Sequence, residues 1–200
     1  MRKIVVFTMI SLDGVMQSPG APEEDASGGF KYGGWEAQHW DETATQILDK
    51  ELSVPFDLLL GWKTYEIFAG YWPKHPGSIG TPFGKATKYV VSDKKVDLSW
   101  KESILINDDV VAKIKALKKE DGPMLQVHGS AMLIQTLLKN DLVDELRLRI
   151  FPLTLASGKR LFAEGTIPVS FELLDSTSTP SGIIMAHYKR AGEIKISSFD

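Results

Sequence analysis

Backbone N–H groups that could bind a phosphate are predicted at Gly129-Ser130-Ala131, where a strand turns into a helix. Residues 124–128 are an apolar run that ends at a glycine, which is typical of a short buried strand. Residues 131–139 place four apolar side chains on one helical face, with Ser130 as the N-cap. The first N–H groups of a helix lack partners within it, and the helix dipole attracts anions to that end. Gly129 has no Cβ to hold a phosphate away from the backbone.

Gly129 has a second interpretation, because a tight turn from strand to helix also favours glycine. The chain contains neither GxGxxG nor GxxxxGK[ST], so the turn is neither a Rossmann fingerprint nor a P-loop. The adjacent His128 has no second ligand at metal-binding spacing, and we therefore predict no metal site. We expect His128 to be a structural, hydrogen-bonded histidine.

Three other predicted strand ends carry residues suited to ligand binding. The strand at residues 4–10 leads to Asp13, which is either a catalytic carboxylate or simply part of an Asp-Gly turn. The strand at 56–60 leads to Gly61, Trp62, Lys63 and Thr64, where a glycine, a cation and a hydroxyl meet. Ser92 ends the next strand. Because the carboxyl ends of parallel strands meet at one sheet edge, these residues are expected to line a single cleft.

Strands and helices alternate along the chain, with helices predicted at 36–52, from 62 to just before Gly70, from 107 or 108 onward, and at 131–139. Further strands are predicted at 88–92, 103–106, 146–150, 169–174 and 183–189, the last two as a hairpin. The strand at 146–150 alternates leucine and isoleucine with Arg147 and Arg149, which indicates that only one face is buried. The pattern predicts an α/β fold in one domain over residues 1–200: a mixed, mainly parallel sheet flanked by helices, with an antiparallel C-terminal β pair.

Two segments between these elements bear on function. The loop at 17–35 is rich in glycine and carries three aromatic residues, so we predict an active-site lid. Asp41, in the first turns of the helix at 36–52, either interacts with the helix dipole or takes part in catalysis. Residues 75–82 are expected to be a surface loop.

Composition narrows the class of protein. The chain has 200 residues, a net charge of −3 and 43% hydrophobic residues, so nothing in its charge favours nucleic acid or an anionic membrane. Cysteine is absent, which excludes disulfides, thiolate metal ligands and a cysteine nucleophile. No apolar run approaches the ~20 residues that span a bilayer. We expect a cytoplasmic protein that acts on a small molecule, without nucleic-acid or membrane partners.

Several short motifs, in this order along the chain, resemble those of the dihydrofolate reductase-like family. The closest branch is the reductase (C-terminal) domain of the bifunctional riboflavin-biosynthesis deaminase/reductase and its stand-alone relatives. The motifs are Ser11-Leu12-Asp13-Gly14, Gly33-Gly34-Trp35, Leu59-Leu60-Gly61-Trp62-Lys63-Thr64-Tyr65-Glu66, Val90-Val91-Ser92, Val127-His128-Gly129-Ser130 and the segments at 142–146 and 157–162.

The resemblance implies a dihydrofolate reductase-like fold and NADPH-dependent hydride transfer to a pyrimidine- or pteridine-type substrate. The enzyme would resemble a phosphoribosylaminouracil reductase of riboflavin biosynthesis or a dihydrofolate reductase, and it would be a homodimer. We expected the strand of Leu146, Leu148 and Ile150 to supply an apolar edge for the second subunit.

The resemblance also implies a role for individual residues. The cofactor would be held by Met9, Met16, Gly61, Trp62, Lys63, Thr64, Ser92, Asp93, Gly129, Ser130, Ala131 and Met132. Of these, Met9 and Met16 would flank the nicotinamide, and Ser92 and Asp93 would lie at the adenosine ribose. Gln17, Trp35 and Trp40 would shape the substrate pocket, with Asp13 and Asp41 as the catalytic carboxylates.

Three positions depart from the family pattern. Trp62 stands where arginine is usual, Ser130 replaces the second glycine of a pair, and Asp93 places a negative charge near the expected extra phosphate of NADPH. These changes leave open a second hypothesis, in which the protein is not an enzyme. It would instead be a homologue that binds a nucleotide and has a regulatory or scaffolding role without turnover.

Overall fold

The computed structural model describes residues 1–199, which form eight β-strands and five α-helices. In chain order they are β1 (Ile4–Ser11), α1 (Glu42–Leu52), β2 (Phe56–Gly61), α2 (Trp62–Tyr71), α3 (Gly80–Lys85), β3 (Lys88–Val91), β4 (Ser103–Ile106), α4 (Val110–Lys119), β5 (Met124–Val127), α5 (Ala131–Lys139), β6 (Glu145–Phe151), β7 (Ser170–Ser178) and β8 (Ile184–Gly192). Short 3-10 turns lie at Ser27–Gly29 and Trp72–Lys74.

All eight strands belong to one sheet in the order β4-β3-β2-β5-β1-β6-β8-β7. The pairings from β4 through β6 are parallel. Strand β8 runs antiparallel to both β6 and β7. This arrangement confirms the predicted α/β fold with a mixed, mainly parallel sheet and an antiparallel C-terminal β pair.

The side chains of the central strands alternate between two layers of helices. On one face, Val6 and Ile10 of β1 pack with Ile114 of α4 and Leu133 of α5 in the largest apolar cluster. The opposite face of the sheet is covered by α1, α2 and α3, through side chains that include Leu48, Leu52, Tyr65 and Phe83. The carboxyl ends of β1, β2 and β5 are thereby fixed at one edge of the sheet.

Helix α1 begins later than the sequence pattern predicted, at Glu42 rather than at residue 36. Asp41 has an extended backbone (φ −124°, ψ 176°), and its Oδ1 accepts a hydrogen bond from the N–H of Ala44 at 2.9 Å. This side-chain cap fixes where the helix starts, and residues 36–39 form turns before it.

Helix α3 overlaps the segment that was predicted to be a surface loop. Its sequence contains Gly80, Pro82 and Gly84, which disfavour a helix on propensity. However, Phe83 is buried and packs its ring 5.9 Å from Phe56 and 5.4 Å from Phe68. Burial of this aromatic side chain outweighs the weak local preference.

The prediction that β6 is half-buried and offers an apolar edge was wrong. Strand β6 lies between β1 and β8, and Leu146 and Leu148 are buried against the α4 and α5 layer. Arg147 and Arg149 point to the other face, where Arg149 is only 2% exposed. The edge strands are β4 and β7. No helix within residues 1–199 is both long and apolar enough to cross a bilayer.

Candidate functional site

The ends of β2 and β5 lie side by side, and each leads directly into a helix. The N–H of Gly61 donates to the carbonyl of Gly129 at 3.0 Å. A Cβ on Gly61 would lie 2.9 Å from the backbone N of Ser130, and one on Gly129 would lie 2.6 Å from Oγ1 of Thr64. Glycine is therefore required at both positions by the contact between the two turns. We call residues 61–64 and 129–132 the cradle; its Gly129–Ser130 peptide bond is cis.

The two helix N-termini in the cradle are capped differently. The Oγ of Ser130 accepts from the N–H of Leu133 at 3.4 Å, so Ser130 caps α5 as predicted. At α2 the N-cap is Gly61, which makes no side-chain cap hydrogen bond. Met132, in the first turn of α5, is 80% exposed. The cradle thus presents helix N–H groups at an accessible surface, which is the arrangement that an anion requires.

Trp62 and Lys63, the other members of the cradle, point to different surroundings. The ring of Trp62 stacks on Tyr65 at 5.6 Å between ring centroids, and the hydroxyl of Tyr65 accepts from the N–H of Trp100 at 2.9 Å. Lys63 is exposed and lies 3.7 Å from Glu66 on the next turn. Lys63 is the one charged residue of the cradle.

Ser92 and Asp93 follow β3 at the same edge of the sheet. Ser92 is buried, its N–H donates to the carbonyl of Ile106, and its Oγ accepts from the N–H of Lys94 at 3.2 Å. The hydroxyl proton of Ser92 can still be donated to a ligand. Asp93 is exposed beside it.

The carboxylate of Asp13 is occupied by the loop that follows β6. Its Oδ1 accepts from Ser11 Oγ at 2.6 Å and from the N–H of Leu155 at 3.0 Å, and its Oδ2 accepts from the N–H of Ala156 at 2.9 Å. Arg160 adds a hydrogen bond to the carbonyl of Asp13. These bonds, the one from Ser11 foremost, hold the pKa of Asp13 below its ordinary value. The geometry favours the turn interpretation of Asp13, and its catalytic role stays a prediction.

Asp41, the second predicted catalytic carboxylate, is also engaged by backbone donors. Besides Ala44, it accepts from the N–H of Ser181 at 3.0 Å, in the turn between β7 and β8. The hydrogen bond from Ala44 is the largest cause that lowers the pKa of Asp41 to about 2. One oxygen of Asp41 therefore caps α1 and the other holds the turn between β7 and β8, and a catalytic role for Asp41 stays a prediction.

The predicted lid is packed against the body of the protein through buried Phe30 and Trp35. The amide of Gln17 is used within this structure: its Nε2 donates to the carbonyls of Asp25 and Ser27, and its Oε1 accepts from the N–H of Lys159. These bonds leave the amide of Gln17 engaged in holding the loop. A role in substrate binding therefore remains only a prediction for Gln17.

The remaining predicted pocket residues lie between the loop and the sheet. The indole N–H of Trp35 donates to the carbonyl of Gln17, and that of Trp40 donates to Thr45 Oγ1 at 3.0 Å. Met9 is partly buried beside the Trp35 cluster, whereas Met16 packs in the α4 and α5 layer. The structure thus brings Met9, Trp35 and Trp40 together.

A polar group beneath α1 was not predicted from the sequence. Arg147 and Arg149 of β6 both pair with Glu51 at the end of α1, Arg147 at 3.5 Å. Their guanidinium carbons lie 5.0 and 5.3 Å from the ring centre of Phe7 on β1. We call Phe7, Arg147, Arg149 and Glu51 the arginine cluster, and we include Gln126, whose Oε1 accepts a hydrogen bond from the His128 ring that stacks on Phe7. Arginines that alternate with leucines on a strand usually face water. These two are instead paired with Glu51, which lies about 100 residues earlier in the chain, so the local sequence of β6 could not reveal the pairing.

His128 connects the arginine cluster to the cradle. Its ring stacks on Phe7 at 5.5 Å, and its Nε2 lies 3.1 Å from Oε1 of Gln126, to which it donates. Burial, and secondarily the charge of Arg149, lowers the pKa of His128 to about 3, so the ring is neutral. The prediction of a structural, hydrogen-bonded histidine is confirmed. Among residues 1–199, no group of three or more His, Asp or Glu side chains is arranged to hold a metal ion.

Glu36 is a second candidate residue that sequence analysis missed. Its Oε2 is buried and has no hydrogen-bond partner within residues 1–199. Burial, followed by repulsion from Glu24, raises the pKa of Glu36 to about 7, while Arg149 opposes the shift. A carboxyl with these properties can hold or release a proton near neutral pH.

Solved structures of other proteins share the fold. A putative riboflavin biosynthesis protein from Shewanella sp. PV-4 superposes with a TM-score of 0.70 at 22% identity, covering 94% of this chain and 99% of its own. A pyrimidine reductase-like protein from Corynebacterium diphtheriae gives 0.65 at 14% identity, with coverages of 96% and 93%. Dihydrofolate reductase from Enterococcus faecalis, complexed with NADP(H), gives 0.57 at 15% identity, with coverages of 94% and 96%. The fold is therefore dihydrofolate reductase-like, as predicted.

The family is established by sequence. The family model that is described as the RibD C-terminal domain matches residues 2–185, nearly the whole chain. This match includes every residue of the cradle and of the arginine cluster. The chain belongs to the RibD C-terminal domain family.

Proposed function

We propose that the protein is an NADPH-dependent reductase that transfers a hydride to a pyrimidine- or pteridine-type substrate. The observation that carries this proposal is the cradle, where the N-termini of α2 and α5 meet at two glycines that tolerate no Cβ. Helix N-termini favour phosphate oxygens through their free N–H groups and their dipoles. Family membership supports reductase chemistry, although it does not identify the substrate.

The residues of the cradle fit the pyrophosphate of a nicotinamide dinucleotide. The N–H groups of the first turns of α2 and α5 would bind its oxygens, and Lys63 would add a positive charge. Ser92 would donate a hydrogen bond to the ribose end. When bound, the nicotinamide supplies the hydride, and the chain supplies binding, orientation and exclusion of water.

The substrate would lie between the cradle and α1, beside Phe7, His128 and Trp40. Trp40 is partly exposed and offers aromatic surface to a planar ring, Phe7 is buried beneath the site, and His128 is neutral. Glu36 is the carboxyl best suited to hold a proton there, because Asp13 and Asp41 are engaged by N–H donors. A pyrimidine-type ring is in keeping with the printed names of the Shewanella and Corynebacterium proteins.

A second candidate function is nucleotide binding without turnover, in a regulatory or scaffolding role. It is favoured by Asp13 and Asp41, whose pKa values are lowered by hydrogen bonds that leave neither able to donate a proton near neutral pH. Trp62 and Asp93 favour it as well, because the first supplies no charge for phosphate and the second repels it.

Titration with NADPH and NADH tests the cofactor, and a screen of oxidised heterocycles for loss of reduced-nicotinamide absorbance tests turnover. We expect NADPH to bind about tenfold, or ~1.4 kcal/mol, more tightly than NADH, because Lys63 and Ser92 attract its extra phosphate while Asp93 repels it. Asp93→Ser should widen that preference by tightening NADPH. Binding of neither cofactor would contradict the proposal, and binding without turnover of any heterocycle would favour the second candidate.

We also propose a homodimer, on grounds that differ from the sequence prediction. One edge of the sheet is β7, where Leu173 and Leu174 are each about half exposed, at 51% and 45%. An unpaired edge strand that displays apolar side chains favours association with a second copy. Light scattering that returned a monomer mass over a wide concentration range would refute this.

A further inference from the structure

The arginine cluster carries more positive than negative charge. Glu51 is the one carboxylate that pairs with Arg147 and Arg149 within residues 1–199. Arg149 is 2% exposed, and the side chains of Arg147 and Glu51 are each 17% exposed. Removing charge from water is unfavourable unless a partner compensates it. One guanidinium charge is therefore left with no carboxylate of its own.

Three buried hydrogen-bond donors of the cluster lack acceptors within residues 1–199: Nε of Arg147, Nε of Arg149 and Nε2 of Gln126. Phe7 lies against both guanidinium groups, but an aromatic ring offers no lone pair to an N–H. Buried donors without partners are rare in folded proteins, because each loses its hydrogen bonds to water and gains none in return. Together with the excess charge, they indicate a site that an oxygen-bearing anion completes.

The cluster is adjacent to the cradle. Phe7 stacks on His128, which directly precedes Gly129, and Arg149 is the register partner of Met9 on β1. A molecule that contacts the cluster would therefore reach the part of the sheet that lies next to a dinucleotide in the cradle. This adjacency links the cluster to the substrate rather than to an unrelated ligand.

We propose that the arginine cluster binds an anionic oxygen of a small planar substrate, which accepts hydrogen bonds from the Nε–H groups of Arg147 and Arg149 and from the Nε2–H of Gln126. The oxygen belongs either to a carboxylate or to an ionised ring substituent. The inference rests on the proposed function, because the reductase hypothesis places a heterocycle beside the cradle. The excess positive charge selects anionic heterocycles over neutral or cationic ones.

Ionisation of Glu36 opposes binding of that anion. Glu36 faces Glu24 and the charge of Arg149, and its pKa is raised to about 7 by burial. Below this pH Glu36 is neutral and the cluster keeps its excess positive charge. Above it, the new carboxylate supplies the missing negative charge, so a bound anion is less favoured. The other titratable or charged side chains around the cluster are Glu51, His128, His187 and Glu145.

Calorimetric titration with three pyrimidine probes tests the proposal: uracil is neutral, orotate adds a carboxylate, and barbiturate carries an ionised ring oxygen. We expect orotate, barbiturate or both to bind at least tenfold more tightly than uracil at pH 6, and to lose most of that advantage at pH 8.5. Which of the two binds identifies the kind of anion. If neither binds more tightly than uracil, the proposal is wrong.

Substitutions locate the binding site. Arg147→Gln should reduce the affinity for the anionic probe to that for uracil, and Lys115→Gln, an equal charge change on exposed α4, should leave it unchanged. Glu36→Gln should keep the tight binding up to pH 8.5. If Arg147→Gln does not fold, Gln126→Glu replaces a donor by an acceptor of nearly the same shape and should abolish anion binding. Wild-type affinity in the folded cluster variant would overturn the proposal.

Titration of the same protein with NADPH alone distinguishes the proposal of a cofactor site in the cradle from the proposal of an anion site at the arginine cluster. NADPH binding without a preference for anionic probes would refute only the anion site. A preference for anionic probes without NADPH binding would refute the cofactor assignment and leave the anion site standing.

Discussion

A carboxylate that accepts several N–H donors is a poor source of protons at neutral pH, because those bonds stabilise its ionised form. Asp13 and Asp41 both belong to this class. Glu36 has the opposite environment, since it is buried with one oxygen unpaired. If the protein is the reductase proposed above, Glu36 is the residue that we propose for proton transfer, and the two aspartates hold loops and helix ends in place.

Residue 132 offers a test of the cradle that spares the fold. Valine at Gly129 would meet Thr64 and strain a backbone with φ of +155°. Met132 is exposed in the first turn of α5, where an acidic side chain stabilises a helix by about 0.3–1 kcal/mol. Met132→Glu should therefore keep or raise the thermal midpoint and weaken NADPH binding about tenfold or more by repelling its phosphates.

Fluorescence titration with NADPH measures this effect, and Met132→Gln is the matched control of similar shape without charge. Equal affinities for the two variants would show that no phosphate lies near the N-terminus of α5.

At the scale of elements, α1 joins three parts of the chain. Asp41 at its start holds the turn between β7 and β8 through Ser181, and Glu51 near its end pairs with the arginines of β6. Sequence periodicity predicted this helix because periodicity is local. It could not predict the start at Glu42, which depends on the Asp41 cap, or α3, which depends on burial of Phe83.

Asp41→Ala should lower stability through loss of both contacts. Folding lowers the pKa of Asp41 from 3.8 to about 2. The stabilisation that its ionised carboxylate gives to the folded state is therefore present above pH 3.8 and is lost as the pH falls through about 2. We expect the thermal midpoint of Asp41→Ala to fall by a few degrees at pH 7 and the difference from wild type to shrink below pH 3. Asp41→Ser, which can still cap the helix, should recover part of the loss. Denaturation scans in which Asp41→Ala matched wild type at pH 7 would contradict the capping role.

At the scale of the whole molecule, the parts of the site differ in how far the sequence could reveal them. The cradle was predicted because its glycines and strand ends have local signatures. The arginine cluster was not, because Phe7, Glu51, Gln126 and Arg149 come from four elements far apart in the chain. Their polar atoms meet only after the sheet has formed. The alternation of leucine and arginine in β6 predicted instead that the arginine side chains face solvent.

Glu36 makes the stability of the whole molecule depend on pH in a direction that can be measured. Its pKa is raised from 4.5 to about 7 on folding. Between pH 4.5 and about 7, the folded state keeps the Glu36 proton that the unfolded state has released. The contribution of Glu36 to the free energy of unfolding is therefore fully present below pH 4.5 and is lost as the pH rises through about 7. Glu36→Gln cannot ionise. It should match wild type at low pH and exceed it by about 2–3 kcal/mol in free energy of unfolding at pH 8.

Denaturant titrations from pH 5 to pH 8.5 measure this difference, with Glu23→Gln as the control because Glu23 is an exposed carboxylate of the same loop. The control should run parallel to wild type, because the Glu23 side chain is exposed. If Glu36→Gln also runs parallel, Glu36 is hydrated in the folded protein, and it can neither hold a proton at neutral pH nor alter anion binding at the arginine cluster. If its curve separates from wild type between pH 5 and 7, the loop over the sheet buries a neutral carboxyl beside Arg149, as both proposals for this site require.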